Sequence, residues 1–244
     1  MPQHELLNNI DHKDIRIITE RSPEYGDDVW YVPTFWREFR SVQSCYPILF
    51  QAEKAEGAFT PVTFFGFQKG ENLFLSNDGW DASYVPLTVQ RMPFFIGFQN
   101  KQEGGEPVQE RVITIDMSSP RVSRTEGREL FHEFGGNSEY LETIADILET
   151  MHRGIQENPD FIKALVDNDL LEPVTLDIQL KDGSKNQLIG FHTIDEEKFK
   201  ALPAEVITDL HKTGYLEAIY SAIMSQIQFK ELVRRKNLSL PTSA

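Results

Sequence analysis

Hydrophobic positions recur in short runs through the first half of the chain and at helical spacing through the second. Ile48–Phe50, Val62–Phe67, Leu73–Leu75, Phe94–Phe98 and Val112–Ile115 are rich in β-branched and aromatic residues and are separated by Gly, Pro or Asn. They predict strands, and strands this close, with no long helix between them, pair largely antiparallel. Around Phe35, Trp36 and Phe39 the spacing becomes helical. A short helix is expected over 35–44, ending before Tyr46-Pro47, because the residue ahead of a proline avoids the helical region.

After Gly127 the period lengthens. Tyr140, Leu141, Ile144, Ile147, Leu148, Met151 and Ile155 fall on one stripe and predict a helix over 138–156. Pro159, capped by Asn158, is expected to open a second helix that buries Phe161, Ile162 and Leu165. Val174, Leu176, Ile178 and Leu180 then alternate, Asp182-Gly183 turns the chain, and Gln187–Ile194 returns as a hairpin. Thr193 with Glu196 reads as a capping box for a short helix. Pro203 opens another that Gly214 closes, and Leu216, Ile219, Ile223 and Ile227 stripe a last one reaching Arg235. The expected fold is α+β: an antiparallel, aromatic-rich sheet from the first half packed against helices of the second, with an added hairpin at 173–194. The expected division is a β-rich lobe over 1–126 and a helical lobe over 127–244, packed together as one unit.

Composition narrows the classes of function. The net charge of −14 and pI near 4.9 repel a phosphate backbone, so nucleic acid is not an expected partner. Lys230, Arg234, Arg235 and Lys236 gather near the C-terminus, where they suit the end of a helix. Cys45 is the only cysteine, which excludes an intramolecular disulfide; its apolar neighbours predict a buried, unreactive thiol. MPQHELLNNIDHKD has neither a basic nor an apolar leader region, and no window approaches the ~20 apolar residues of a membrane span. The expected location is the cytoplasm, without stable membrane insertion. The oligomeric state is left open.

Reaction centres are harder to find. The six histidines show no zincin spacing, and no Gly-x-Ser-x-Gly elbow or phosphate-cradling glycine loop occurs. Gly104-Gly105 sits in a polar loop, and Gly135-Gly136 suits a flexible start to the helix that follows. Between Glu129 and Met151 there are six carboxylates and no Lys or Arg, which predicts a solvated acidic face. No catalytic residue, metal or cofactor is therefore expected. An enzyme or small-ligand pocket would require the fold to gather scattered groups such as Asp116, His132 and His192.

The segment from Glu71 to Phe95 is the most specific. Asn77, Asp78 and Gly79 supply turn chemistry, Pro86 and Pro93 fix the backbone, and Trp80, Tyr84, Phe94 and Phe95 bring large apolar areas. Arg91, among aromatic strands, should pair with a carboxylate such as Asp81 or Glu71, or line a pocket. Trp80, Asp81, Tyr84, Arg91 and Phe94 are the expected binding groove for a polypeptide, since aromatic and Arg residues anchor interfaces.

These residues also carry a resemblance. EFRSVQSCYPILF (38–50), GENLFLSNDGWDASYVP (70–86), RMPFF (91–95), ITIDMSSPRV (113–122), LFHEFGG and GFHTIDEEKFKALP together resemble the SapC family. Met92 departs from the pattern, standing where an aromatic is expected. The resemblance implies surface-layer protein export and a gene neighbourhood of TonB-dependent outer-membrane uptake, and it brings no catalytic residues. It implies a non-enzymatic accessory protein whose partner is a polypeptide client or a component of an envelope system.

Overall fold

Most of the aromatic runs become strands and the striped segments become helices; of the strand expected over Leu73–Leu75 only Leu75 is in one, Leu73 and Phe74 forming a turn. The computed structural model describes residues 3–55, 57–103 and 106–240; the Gly104-Gly105 pair lies outside them. Strands β1 (His4–Leu6), β2 (Arg16–Ile17) and β3 (Tyr31–Pro33) come first. A 3₁₀ turn over Trp36–Glu38 leads into helix α1 (Phe39–Val42), followed by β4 (Ile48–Ala52), β5 (Phe59–Phe64), β6 (Leu75–Ser76), β7 (Gly79–Trp80) and α2 (Leu87–Gln90). Then come β8 (Phe94–Glu103), β9 (Glu106–Asp116), β10 (Val122–Ser123), β11 (Arg128–Glu129) and the long helix α3 (Glu139–Asp167). The chain closes with β12 (Leu171–Gln179), β13 (Lys185–Ile194), α4 (Glu196–Lys200), α5 (Ala204–Thr213), α6 (Tyr215–Ser225) and α7 (Gln228–Ser239). The fold is α+β, with antiparallel sheets.

Two compact units result: Met1–Asp27 with Leu87–Arg153, and Asp28–Pro86 with Gly154–Ala244. They interleave along the chain and do not follow a division at 126/127. The reason is long-range pairing, which composition along the chain does not register: β13 joins β4 through Phe191↔Gln51 and His192↔Phe50.

In the first unit, β8 and β9 form a long antiparallel pair from Phe94↔Ile115 outward, and β1 adds along β9 at His4↔Asp116. A second small sheet has the order β10-β2-β11. Ile15, Ile17, Phe94, Ile115 and Leu130 pack against Leu141, Ile144 and Leu148, the apolar stripe of the first half of α3. Gly127 lets this happen: its φ is +99°, and a Cβ there would stand 2.3 Å from the Ile17 carbonyl oxygen, so no other residue fits.

The second unit is built on a sheet ordered β12-β13-β4-β5-β3. Its centre, Ile48, Leu49 and Phe50, is fully buried. Phe161, from the second half of α3, meets Phe39 edge-on with ring centres 5.8 Å apart and lies 6.2 Å from Trp36. Ser225 Oγ accepts from the Ile48 N–H at 2.9 Å, and Gln226 Nε2 donates to the Ile48 carbonyl at 2.8 Å, tying the end of α6 to β4.

Local expectations fail where tertiary contacts outbid them. The helices expected over 138–156 and from Pro159 are one, with Pro159 inside it. The proline removes one backbone donor, a cost that packing on both sides of it offsets. Asn158 does not cap that helix; its Oδ1 accepts from the Trp36 N–H at 3.0 Å and its Nδ2 donates to the Thr34 carbonyl at 3.3 Å, capping the 3₁₀ turn instead. The cap of α4 is Asp195, whose carboxylate accepts from the Glu197 and Lys198 N–H groups, while Thr193 stays in β13. The last stripe splits into α6 and α7, with Gln226 and Ile227 between them. The strand expected to reach Phe67 stops at Phe64, because the Phe65 and Gly66 N–H groups both donate to the Trp30 carbonyl, at 2.7 and 3.1 Å.

Candidate functional site

The signature residues of the 71–95 segment are spent on holding the fold. In the second unit Trp80 Nε1 donates to Tyr46 Oη at 2.7 Å, and Tyr46 Oη donates to the Tyr84 carbonyl. Tyr84 Oη in turn donates to Glu38 Oε1 at 2.8 Å, and Thr34 Oγ1 donates to Glu38 Oε2 at 2.6 Å. Burial, reinforced by Glu38, pushes the Tyr84 phenol well above the ordinary tyrosine range, and burial does the same to Tyr46. Asp81 is held by Arg235 at 2.8 Å, whose guanidinium also lies 4.4 Å over the Phe74 ring. Lys236 reaches Glu71 at 2.5 Å, both side chains being largely buried. Arg235 and Lys236 of the α7 basic cluster thus clamp the aromatic segment, while Arg234 pairs with Glu231 within the helix. Such paired, partly desolvated charges resist separation.

Arg91 and Phe94 belong to the first unit. Phe94 is fully buried in its core. Arg91 pairs with neither Asp81 nor Glu71: it donates to the Phe94 carbonyl at 2.8 Å and lies 4.3 Å over the Phe95 ring. Burial lowers its pKa.

Asp116, His132 and His192 are each occupied differently. Asp116 Oδ1 accepts from the Gln3 N–H at 2.9 Å, the Ser118 N–H at 3.0 Å and Ser118 Oγ at 2.7 Å. Burial opposes ionisation there, and these hydrogen bonds overcome it and hold the carboxyl below its usual range. His132 lines a polar cavity of about 540 Å³ with Arg124, Glu129 and Glu133, and Asp116 is not in its wall. His192, in the second unit, packs edge-on to Phe59 at 4.8 Å, its Nδ1 has no partner among the described residues, and burial lowers its pKa. Among the described residues no three His, Cys, Asp or Glu side chains are grouped to hold a metal. Cys45 is half-buried, not buried, with its sulfur 3.2 Å from Ser83 Oγ.

One concavity of the second unit has largely apolar walls and was not visible in any motif. It is a cleft of about 580 Å³ between the second half of α3 and the β3–β5 edge. One wall is the helix face Ile155, Pro159, Ile162 and Val166, spaced so that all four share a side. The other is Pro33, Ala58, Phe59 and Pro61. Ile162 is buried, whereas Ile155 is 54% and Val166 37% exposed, so the rim offers aliphatic surface to solvent. Lys163 is the charged residue in the lining, and it is paired with Asp167 at 2.6 Å. Pro33 removes a backbone donor from the edge strand, which disfavours addition of another strand and leaves side-chain burial as the means of recognition. The signal is present in the sequence: Ile155 lies on the stripe of a helix expected to end at 156, and only a continuous α3 aligns it with Ile162 and Val166.

The chain belongs to the SapC family, whose model matches residues 7–232. Comparison with curated proteins and with solved structures gives no match. No helix of the described residues is long and apolar enough to cross a membrane.

Proposed function

From its place in the SapC family, we propose that this chain is a non-enzymatic accessory protein, acting in the cytoplasm, that binds a polypeptide client of a surface-layer or TonB-dependent envelope system. The apolar cleft beside α3 carries the reading. A volume of about 580 Å³ accommodates a few side chains, and the exposed Ile155 and Val166 would be covered by a client segment with apolar anchors. The net charge of −14 favours encounter with a client whose flanks are basic. The commitment of Trp80, Asp81 and Tyr84 to internal hydrogen bonds and ion pairs makes the cleft a better docking surface than the signature segment.

Native mass spectrometry on the protein isolated from its own cells tests this, run in parallel on an Ile155→Asp/Val166→Asp variant. The expected result is one bound envelope polypeptide on the native chain and its loss from the folded variant. A client retained by the variant removes the cleft from the account. A metal or small molecule in place of a polypeptide removes the accessory role.

A further inference from the structure

The geometry points to a second, separate binding site in the first unit, a cavity that takes a small carboxylate with an apolar body. The cavity measures about 370 Å³, and its wall includes Arg21, Arg121, Arg128 and Tyr140. In a chain with a net charge of −14, three guanidiniums on one concavity are a concentration against the average.

They are not equivalent. Arg121 is fully buried and structural: Nη1 donates to the Ile18 carbonyl at 2.9 Å and the Glu20 carbonyl at 2.8 Å, and Nη2 donates to Asp27 Oδ2 at 2.5 Å. Arg21 is half-spent. Its Nη1 donates to Asp27 Oδ1 and the Val89 carbonyl, both at 3.2 Å, which leaves the Nη2 and Nε hydrogens without a partner among the described residues. The Arg128 backbone pairs with Ile17 of β2, while its side chain, on the exposed strand β11, makes no hydrogen bond or ion pair with the described residues. Tyr140 Oη likewise has no hydrogen bond to them, although its ring packs on Phe94. Burial pushes its phenol up to about 12, against the pull of Arg21, Arg121 and Arg128, so it stays a donor at neutral pH. Three residues with unspent donors therefore line one concavity, and a carboxylate is the group whose two oxygens match a guanidinium fork.

Charge selects the anion. Three guanidiniums against the carboxylates of Asp27 and Glu139, which also lines the cavity, leave one positive charge. A monoanion neutralises it, whereas a phosphate near two negative charges leaves the site negative. The remaining wall includes Ile18, Met92, Ile144 and Ile147, which fit an aliphatic group beside the carboxylate. This site lies within the first unit and does not depend on the client cleft of the second.

The test is titration calorimetry on the full chain with N-acetyl-leucine, its uncharged amide and inorganic phosphate as probes. N-acetyl-leucine is expected to bind saturably at one site and the amide at least tenfold more weakly. Arg128→Gln and Tyr140→Phe, changes at an exposed cation and a single hydroxyl, are each expected to weaken binding of the acid by about tenfold while leaving the melting temperature of the free protein nearly unchanged. Equal binding of acid and amide, binding of phosphate alone, no binding of the acid, or binding indifferent to both variants overturns the assignment.

Discussion

Replacing Gly154 by alanine should destabilise this protein, although the same change in an ordinary helix interior gains about 1 kcal/mol. Gly154 lies inside α3, where a new Cβ would stand 2.1, 2.5 and 2.7 Å from Cδ2, Cε2 and Cγ of Phe35. Carbon atoms in contact prefer about 3.5–4 Å, so the ring must retreat by more than an ångström. It has little room, being only 2% exposed. Overpacking of this kind costs about 1–3 kcal/mol, and a clash with three ring atoms belongs at or beyond the upper end. Offset by helix propensity, the net loss is about 2 kcal/mol, or ~4–8 °C in melting temperature for a chain of this size. Urea unfolding followed by circular dichroism reads it as a lower midpoint at unchanged slope. Phe35→Leu in the same chain should recover part of the loss, with a coupling of about 1 kcal/mol or more. A Gly154→Ala protein that is more stable than the parent would refute the packing argument.

Three other expectations follow from the same contacts. Asp27→Asn strips the counter-charge from the buried Arg121 and the largely buried Arg21 and should cost about 3–5 kcal/mol in urea unfolding; a loss under about 1 kcal/mol would contradict the pairing. Tyr46→Phe leaves the Trp80 indole N–H without its acceptor and should cost about 1–3 kcal/mol, with the Trp80 emission shifting toward that of exposed indole. The third concerns alkaline pH: the phenols of Tyr46, Tyr84 and Tyr140 all have raised pKa values in the folded chain. Their contribution to stability is fully present below the unfolded value of about 10 and is lost as pH rises above it toward the folded values. Absorbance near 295 nm should then show these tyrosines ionising only well above pH 10 or on unfolding, whereas titration of all the tyrosines near pH 10 in a folded chain would contradict their burial.

Legibility followed the range of the contacts. Val174 to Leu180 alternates in burial as its spacing predicts, and Gly214 ends α5 in the left-handed conformation (φ +82°) that a glycine stop requires. Asn158 could not be read correctly, because a cap and a tertiary clamp use the same amide, and only the fold decides which backbone it reaches. Arg121 and Asp27 stand 94 positions apart, so nothing local marks them as partners. Trp80 and Tyr84 were recognisable as specific, yet their specificity proves to serve Tyr46 and Glu38. The cleft was hidden behind Pro159, whose sequence context predicts a helix start while α3 runs through it. The cavity around Tyr140 was hidden in turn because its arginines come from three separate segments.

A photoreactive side chain at the rim of the cleft tests the central claim most directly. With p-benzoylphenylalanine at Val166, irradiation of living cells should yield one dominant adduct whose partner is an envelope polypeptide, and the same group at the exposed Tyr220 should yield none. No adduct at Val166, or the same adducts from both positions, would contradict a client bound in the cleft.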